Sequence, residues 1–287
     1  MRYAGPMKHR PFGWTREQVP VIGLGTWQME EAPRPDSVRA IRAGIDAGCT
    51  LIDTAEMYGS GAVEEIVGEA LEGRRDEAFL VTKVLPQNAS RRGTIAACER
   101  SLRRLRTEQI DLYLLHWPGP HPVEDTIAAF EELQQKGHIR FWGLSNFDAE
   151  ELEAIRAKTG ARGIGSDQVL YHLKERAIEH KVLPWCERNE VALMAYSPFG
   201  SGDFPSSASP GGKVLAAIAR AHGATPYQVA LAFLVRHAAV FAIPKAGSVA
   251  HARDNAAAAD LTLDPDEIAR IAAAFPLGKR PASLPTL

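Results

Sequence analysis

The sequence predicts an α/β fold: a closed (β/α)8 TIM barrel with an N-terminal hairpin in front of it and an extra C-terminal helix behind. Three observations carry that prediction. Short runs rich in Val, Ile, Leu and Phe begin near residues 21, 50, 79, 110, 138, 164, 191 and 240. Between them lie longer stretches whose apolar residues recur at helical spacing, and such alternation requires a parallel sheet covered by helices. The third observation concerns the competing architecture, a doubly wound open sheet, which usually carries G-x-G-x-x-G after its first strand. Gly23 and Gly25 supply two glycines, but Gln28 stands where the third belongs, and Pro33 and Pro35 interrupt the residues beyond it.

Taken in order, residues 10–20 are polar and hold Pro11, Gly13 and Pro20, which suits a small hairpin. Residues 21–27 supply the first strand. Asp36 is placed to cap a helix whose Val38, Ile41 and Ile45 share a face and which Gly48 stops. Residues 50–53 read as a buried strand ending in Asp53. Gly59-Ser60-Gly61 then reads as a turn into a helix over 62–71, with Val63, Ile66, Val67, Ala70 and Leu71 on its apolar side. Further strands are expected at 79–84, 110–115, 138–144, 164–168, 191–195 and 240–243. Further helices are expected at 94–105, 123–136, 148–158 (capped by Asp148), 179–189, 226–237 and 249–259, and the extra one at 265–275. No change of composition marks a second domain, so residues 1–287 read as one barrel domain. The stretch 197–212, rich in Ser, Gly and Pro, reads as a long irregular loop after the seventh strand, placed to move over a ligand.

Lys and Arg number 33 against 35 Asp and Glu, and no basic block stands out, so nucleic acid is not an expected partner. Cys49, Cys98 and Cys186 lie far apart with no CxxC or zinc spacing, which suits reduced thiols. No apolar run is long enough to cross a membrane and no signal stretch opens the chain, so a cytoplasmic protein with no membrane partner is expected.

Polar residues gather at the strand ends. Asp53, Lys83, His116, Ser145, Asn146, Gln168, Tyr196 and Lys245 fall there, and in a barrel those ends converge on one mouth. Tyr58 stands five residues after Asp53. A carboxylate, a phenol, a cation and an imidazole together make a proton-transfer set. Free tyrosine titrates at about 10, too high for an efficient acid near neutrality, and a neighbouring Lys83 cation is expected to lower that value. Asp53 can hold Lys83 charged, and His116 can hydrogen-bond a carbonyl oxygen. Each residue taken alone has a plainer reading. Asp53 and Lys83 could form a structural ion pair, Tyr58 a surface anchor, and Trp27, Trp117 and Tyr196 packing aromatics. His116 could be a satisfied core histidine or, with His121, part of a metal site short of ligands. Arg100, Arg103, Arg104 and Arg106 read as a solvated helix face.

Six stretches in this order resemble the aldo-keto reductase superfamily along nearly the whole chain. They are Leu51-Ile52-Asp53-Thr54-Ala55-x-x-Tyr58-Gly59, Phe79-Leu80-Val81-Thr82-Lys83, Asp111-Leu112-Tyr113-Leu114-Leu115-His116-Trp117-Pro118, Gly143-Leu144-Ser145-Asn146-Phe147, Ala195-Tyr196-Ser197-Pro198 and Ile243-Pro244-Lys245. Within the superfamily, residues 54–58, 168–173 and 183–186 look most like bacterial methylglyoxal reductases.

The resemblance implies NADPH-dependent reduction of small aldehydes and ketones, with Tyr58 the general acid, Lys83 and Asp53 tuning it, and His116 positioning the substrate. It implies that Tyr196 stacks on the nicotinamide, while Ser145, Asn146 and Gln168 hydrogen-bond its carboxamide. Ser197, Pro198, Phe199 and Gly200 would lie along the pyrophosphate, Lys245 would meet the 2′-phosphate, and Asn255 the adenine. Gly25, Thr26 and His251 complete the cofactor set; Trp27, Met57 and Trp117 would wall an apolar substrate pocket. Ala246 stands where many relatives have a hydroxyl, His251 where NADPH-preferring relatives often have arginine, with Arg253 out of register, and Phe199 where leucine is usual. NADH is therefore expected as a weaker alternative cofactor. The short tail 276–287 implies an open site with broad specificity, and analogy implies a monomer. A catalytically idle nicotinamide-binding regulatory subunit is the alternative function. A barrel enzyme for phosphorylated sugars, resting on Gly200, Gly202, Gly211 and Gly212, is a third reading.

Overall fold

The computed structural model describes residues 7–287; residues 1–6, part of the stretch read for a signal segment, lie outside the described residues. The chain opens with an antiparallel pair, β1 (His9–Pro11) and β2 (Gln18–Pro20), which is the expected hairpin. Next come β3 (Leu24–Gly25), α1 (Arg34–Asp46), β4 (Leu51–Asp53), α2 (Ala62–Ala70), β5 (Phe79–Val84), α3 (Arg91–Leu105), β6 (Ile110–Leu115) and α4 (Val123–Gln135). The second half runs β7 (Ile139–Ser145), α5 (Ala149–Thr159), β8 (Ile164–Leu170), α6 (Val182–Arg188), β9 (Ala192–Tyr196), α7 (Pro210–His222), α8 (Pro226–Leu234), β10 (Val240–Ala242), α9 (Val249–Ala257) and α10 (Pro265–Ala274).

Strands β3 to β10 pair in parallel, each with its neighbour in sequence. The first and last edges meet through bridges between Ile22 and Ala242 and between Gly25 and Lys245, so the sheet closes and leaves no free edge. Register sets the strand ends side by side: Asp53 faces Gly25 and Val81, and Ser145 faces Gln168. Every residue of β5 and β6 is buried, as expected for strands covered on both faces. Alternate side chains fill two layers. Leu51, Val81, Leu112, Leu114, Met194 and Phe241 belong to the inner one, while Leu80, Val84 and Tyr113 pack outward against the helices. At the start of the strands the fully buried Phe12 closes the barrel, its ring centroid 5.1 Å from that of Phe79 and 4.8 Å from that of Phe241.

The structure shortens the strand expected at 21–27 to Leu24–Gly25 and ends the helix expected at 226–237 at Leu234, and it departs further from the sequence reading in four places. Asp36 caps nothing: α1 starts at Arg34 with Pro33 at its cap, and Asp36 lies in the first turn, paired with Arg39. Pro35 fits that first turn because no N–H is needed there. The helix expected at 179–189 is split, with a 3-10 turn over Ala177–His180 and then α6, whose first turn holds Pro184. The irregular loop expected at 197–212 ends at Ser209, whose hydroxyl accepts from the Gly212 N–H and starts α7. Gly211 and Gly212 are there for closeness, since a Cβ would lie 2.4 Å from the Phe275 ring and 1.9 Å from the Ser206 carbonyl oxygen respectively. Finally, the α3 arginines are no uniform solvated face. Arg100 reaches Glu56 and Arg104 reaches Glu64, both carboxylates being buried, whereas Arg103 and Arg106 are exposed.

Candidate active site

At the end of β5 the Lys83 side chain runs, fully buried, into the barrel mouth. Its ammonium donates to Asp53 Oδ2 at 2.8 Å, to the Thr54 carbonyl oxygen at 2.8 Å and to the Tyr58 hydroxyl at 3.2 Å. Those three bonds use all three donors of a lysine, so the charge is satisfied without water. The other oxygen of Asp53 accepts from Gln168 Nε2 at 2.7 Å, which ties β4 to β8 across the barrel.

Burial alone would pull the Lys83 ammonium down, but Asp53 and Tyr58 outweigh it and hold its pKa above the ordinary lysine value. Burial pushes the Asp53 carboxyl up, against the pull of Lys83 and Gln168. Tyr58 corrects the sequence expectation. Lys83 does draw its pKa down, but burial outweighs that pull and the Asp53 charge adds to burial, so the phenol lies above its ordinary value. It is therefore held as the protonated acid. His116 is pushed well below the usual histidine range, by burial and by Lys83, and is neutral. Its ring lies edge-on to Tyr58, 5.9 Å between centroids, and its Nδ1 is buried with no hydrogen-bond partner among the described residues.

The opposite wall comes from β7 to β9. Ser145 Oγ and the Asn146 N–H both donate to the Gln168 carbonyl oxygen, at 2.8 and 2.9 Å. Asn146 takes a left-handed backbone, φ 64°, which asparagine tolerates better than most residues. Its Oδ1 accepts from the Tyr196 hydroxyl at 2.9 Å, and its Nδ2 donates to the His116 carbonyl oxygen at 3.3 Å.

These residues enclose a cavity of about 220 Å³. Asp53, Tyr58, His116, Gly25, Thr26, Trp27, Met57, Trp117, Ser145, Asn146, Gln168, Tyr196, Ser197 and Lys245 line it, and Lys83 lies beneath. Lys245 is exposed at the rim, where its Nζ donates to the Gln28 carbonyl oxygen at 3.2 Å. Besides Lys83, five sequence candidates stand outside the lining. Pro198 is buried; Phe199 packs edge-on to Tyr227; Gly200 continues the turn after Ser197; His251 is exposed in the first turn of α9; and Asn255 Nδ2 donates to the Lys245 carbonyl oxygen at 3.4 Å. Two lining residues were missed. Ile243 was legible as the neighbour of Pro244-Lys245, but nothing in the sequence signals Leu287, whose backbone N–H donates to the Tyr196 hydroxyl at 3.4 Å. A larger open depression near the starts of β5 and β6 holds Arg75 and Arg140, but both already pair with Asp111.

One buried acid beside the site does not line the cavity. Asp167 is fully buried behind Gln168, and its carboxyl oxygens have no well-formed hydrogen bond among the described residues. Burial pushes its pKa well above the usual carboxylate range, opposed only by the Phe147 backbone N–H. The folded state thus keeps a proton that the unfolded chain releases above about pH 4, so stability falls as pH rises through that window. Asp167→Asn is expected to raise the melting temperature at neutral pH, with a gain that shrinks toward about pH 4 in thermal scans. An equal gain at both pH values would sink this assignment.

The chain is similar to known proteins along most of its length. The profile of the aldo/keto reductase family matches residues 21–275. Methylglyoxal reductase YeaE of Escherichia coli (strain K12) is 45% identical over 268 residues, 93% of this chain and 94% of that protein. An aldo-keto reductase from Klebsiella pneumoniae, solved in complex with NADPH, superimposes with a TM-score of 0.91 at 43% identity, covering 99% of this chain and 100% of that one. A Klebsiella pneumoniae structure with NADP and acetate gives 0.91 at 44% identity over 98% and 100% of the two chains. Among the described residues no helix is long and apolar enough to cross a membrane, and no group of three or more His, Cys, Asp or Glu could hold a metal ion.

Proposed function

The chain belongs to the aldo/keto reductase family, and on that premise we propose that it reduces small aldehydes and ketones, methylglyoxal among them, to alcohols with NADPH. The observation that carries this reading is the Lys83 ammonium, with its donors spent on Asp53, Thr54 and a protonated Tyr58 at the foot of a small cavity.

The residues around the mouth fit a nicotinamide dinucleotide. Tyr196 offers a ring face, Ser145 and Asn146 offer polar atoms for a carboxamide, and Gln168 keeps its Oε1 for the same group while its Nε2 serves Asp53. Lys245 lies at the rim before the N-terminus of α9, a setting that favours a phosphate. When bound, NADPH supplies a hydride to the carbonyl carbon. The chain's own residues handle the oxygen. His116, neutral, donates a hydrogen bond that orients it, and Tyr58 delivers its proton to it as negative charge develops. Lys83 then faces a nascent phenolate, which its charge stabilises, and Asp53 keeps Lys83 in place. Trp27, Met57 and Trp117 exclude water and give the substrate an apolar wall. The enzyme acts in this reading as a cytoplasmic monomer of one barrel domain.

The deciding measurement is consumption of NADPH with methylglyoxal, with NADH run alongside. Turnover with NADPH and a KM several-fold higher for NADH is the expected result. Lys245→Ala should raise the KM for NADPH about ten-fold and leave that for NADH nearly unchanged, since one charge-assisted bond to phosphate is lost. Equal use of both cofactors by the parent would remove the phosphate role of Lys245. Tight NADPH binding with no turnover on small aldehydes would instead favour a regulatory subunit.

A further inference from the structure

Tyr58 opens a 3-10 turn, Tyr58–Gly61, between β4 and α2. The next three residues, Gly59, Ser60 and Gly61, all have positive φ, at 54°, 54° and 96°, before α2 begins. For Ser60 that conformation is strained. Backbone bonds close the turn on itself: Tyr58 N–H to the Ala55 carbonyl and Ser60 N–H to the Met57 carbonyl, both 3.1 Å, and Ala62 N–H to the Tyr58 and Gly59 carbonyls, while Glu56 N–H reaches the Lys83 carbonyl at 3.3 Å. Those bonds shape the turn, and side-chain ties to other elements set where it sits against β5 and α3.

Two buried carboxylates supply them, one on each side of the tyrosine. Glu56 is 6% exposed and Glu64 fully buried. Glu56 Oε1 accepts from the Leu85 N–H and from Asn88 Nδ2, both at 2.9 Å, while Oε2 accepts from Arg100 at 3.3 Å. Glu64 Oε1 accepts from the Thr82 hydroxyl at 2.7 Å, and Oε2 from Arg104 at 3.0 Å. Arg104 also lies flat against the turn, since a Cβ on Gly61 would come within 2.3 Å of its Cζ. Arg100 and Arg104 are four residues apart, hence on one face of α3. Both carboxylates also grip β5 and the chain just after it, through Thr82 beside Lys83 and through Leu85 beyond it. Neither glutamate lines the cavity. Buried charges are costly unless fully bonded, yet these two bring the acid's loop and the lysine's strand into one frame.

We propose that Glu56 with Arg100, and Glu64 with Arg104, are positioning residues that fix the Tyr58 phenol over the Lys83 ammonium from outside the cavity. The inference rests on the reading of Tyr58 as the acid. A misplacement of about 1 Å in such a group can cost about 100-fold in rate. Loosening the clamp should therefore lower kcat and leave cofactor binding alone.

The test uses Glu56→Ala and Glu56→Gln in the parent and in Tyr58→Phe, with methylglyoxal turnover, NADPH binding by fluorescence and a melting temperature for each. Glu56→Ala should cut kcat about 10- to 100-fold and change the NADPH Kd less than about two-fold. Glu56→Gln keeps an oxygen for Leu85 and Asn88 and should recover most of that loss. In the Tyr58→Phe background, Glu56→Ala should change the residual rate less than about two-fold, because the acid it positions is gone. A soluble Glu56→Ala with parental kcat, or with the same fractional loss in both backgrounds, overturns the proposal. If Glu56→Ala does not fold, Arg104→Met takes its place: a kcat-only loss supports the clamp, and a parental kcat overturns it. Parental activity in Tyr58→Phe alone would sink the acid assignment instead, a separate result.

Discussion

Tyr58→Phe is expected to lower kcat by about 10²- to 10⁴-fold while the NADPH Kd stays within about two-fold of the parent. The substitution removes one hydroxyl and keeps the ring, so packing against His116 survives and only the proton source is lost. Lys83 loses the acceptor 3.2 Å away but keeps Asp53 and the Thr54 carbonyl. The pH profile of the parent should point the same way. The acid is active while protonated, and burial, outweighing Lys83, holds its pKa above the ordinary tyrosine value. Its own titration should therefore leave kcat flat through neutrality and reduce it only above about pH 10. A tyrosine acid lowered by lysine would instead make kcat fall near neutral pH. Single-turnover measurement of NADPH oxidation across pH decides between them.

The largest stability effect should come from Lys83→Met. The side chain is fully buried, and its loss leaves Asp53, 2% exposed, with Gln168 as its remaining side-chain donor. Removing one partner of such a pair costs about 3–5 kcal/mol, which urea unfolding would read directly. Activity should vanish with it, because the phenolate left by proton transfer would have no cation. Adding Asp53→Asn should restore much of the stability, since no uncompensated charge then remains in the barrel, and should restore none of the turnover. Recovery of both together would mean that the pair is structural and not part of the chemistry.

The fold was readable because the strands are buried on both faces and are punctuated by glycines, prolines and caps. Phe79–Val84 and Ile110–Leu115 match their expected spans, and Asp148 caps α5 with Glu151 as a capping box. α7 was not readable, because Pro210, Gly211 and Gly212 carry loop chemistry locally and are chosen for contacts with Phe275 and Ser206. The residues of the mouth were readable because barrel strand ends converge. The sign of the Tyr58 shift was not, because a sequence names the neighbouring cation but says nothing of how much water the phenol loses. Arg100 and Arg104 looked like surface charge for the same reason. Their partners Glu56 and Glu64 lie on another element, and only tertiary packing decides which arginines meet them.

Phe12 makes the barrel a stoppered flask. Its ring is wedged between Phe79 and Phe241 at one end of the inner layer, and the Asp53–Lys83 pair, almost fully buried, lies beneath the mouth cavity at the other. Whatever settles into the neck thus stands between that pair and the water of the mouth. Filling the neck lowers the local dielectric for every charge beneath it, so occupancy itself sharpens the field that acts on the carbonyl oxygen.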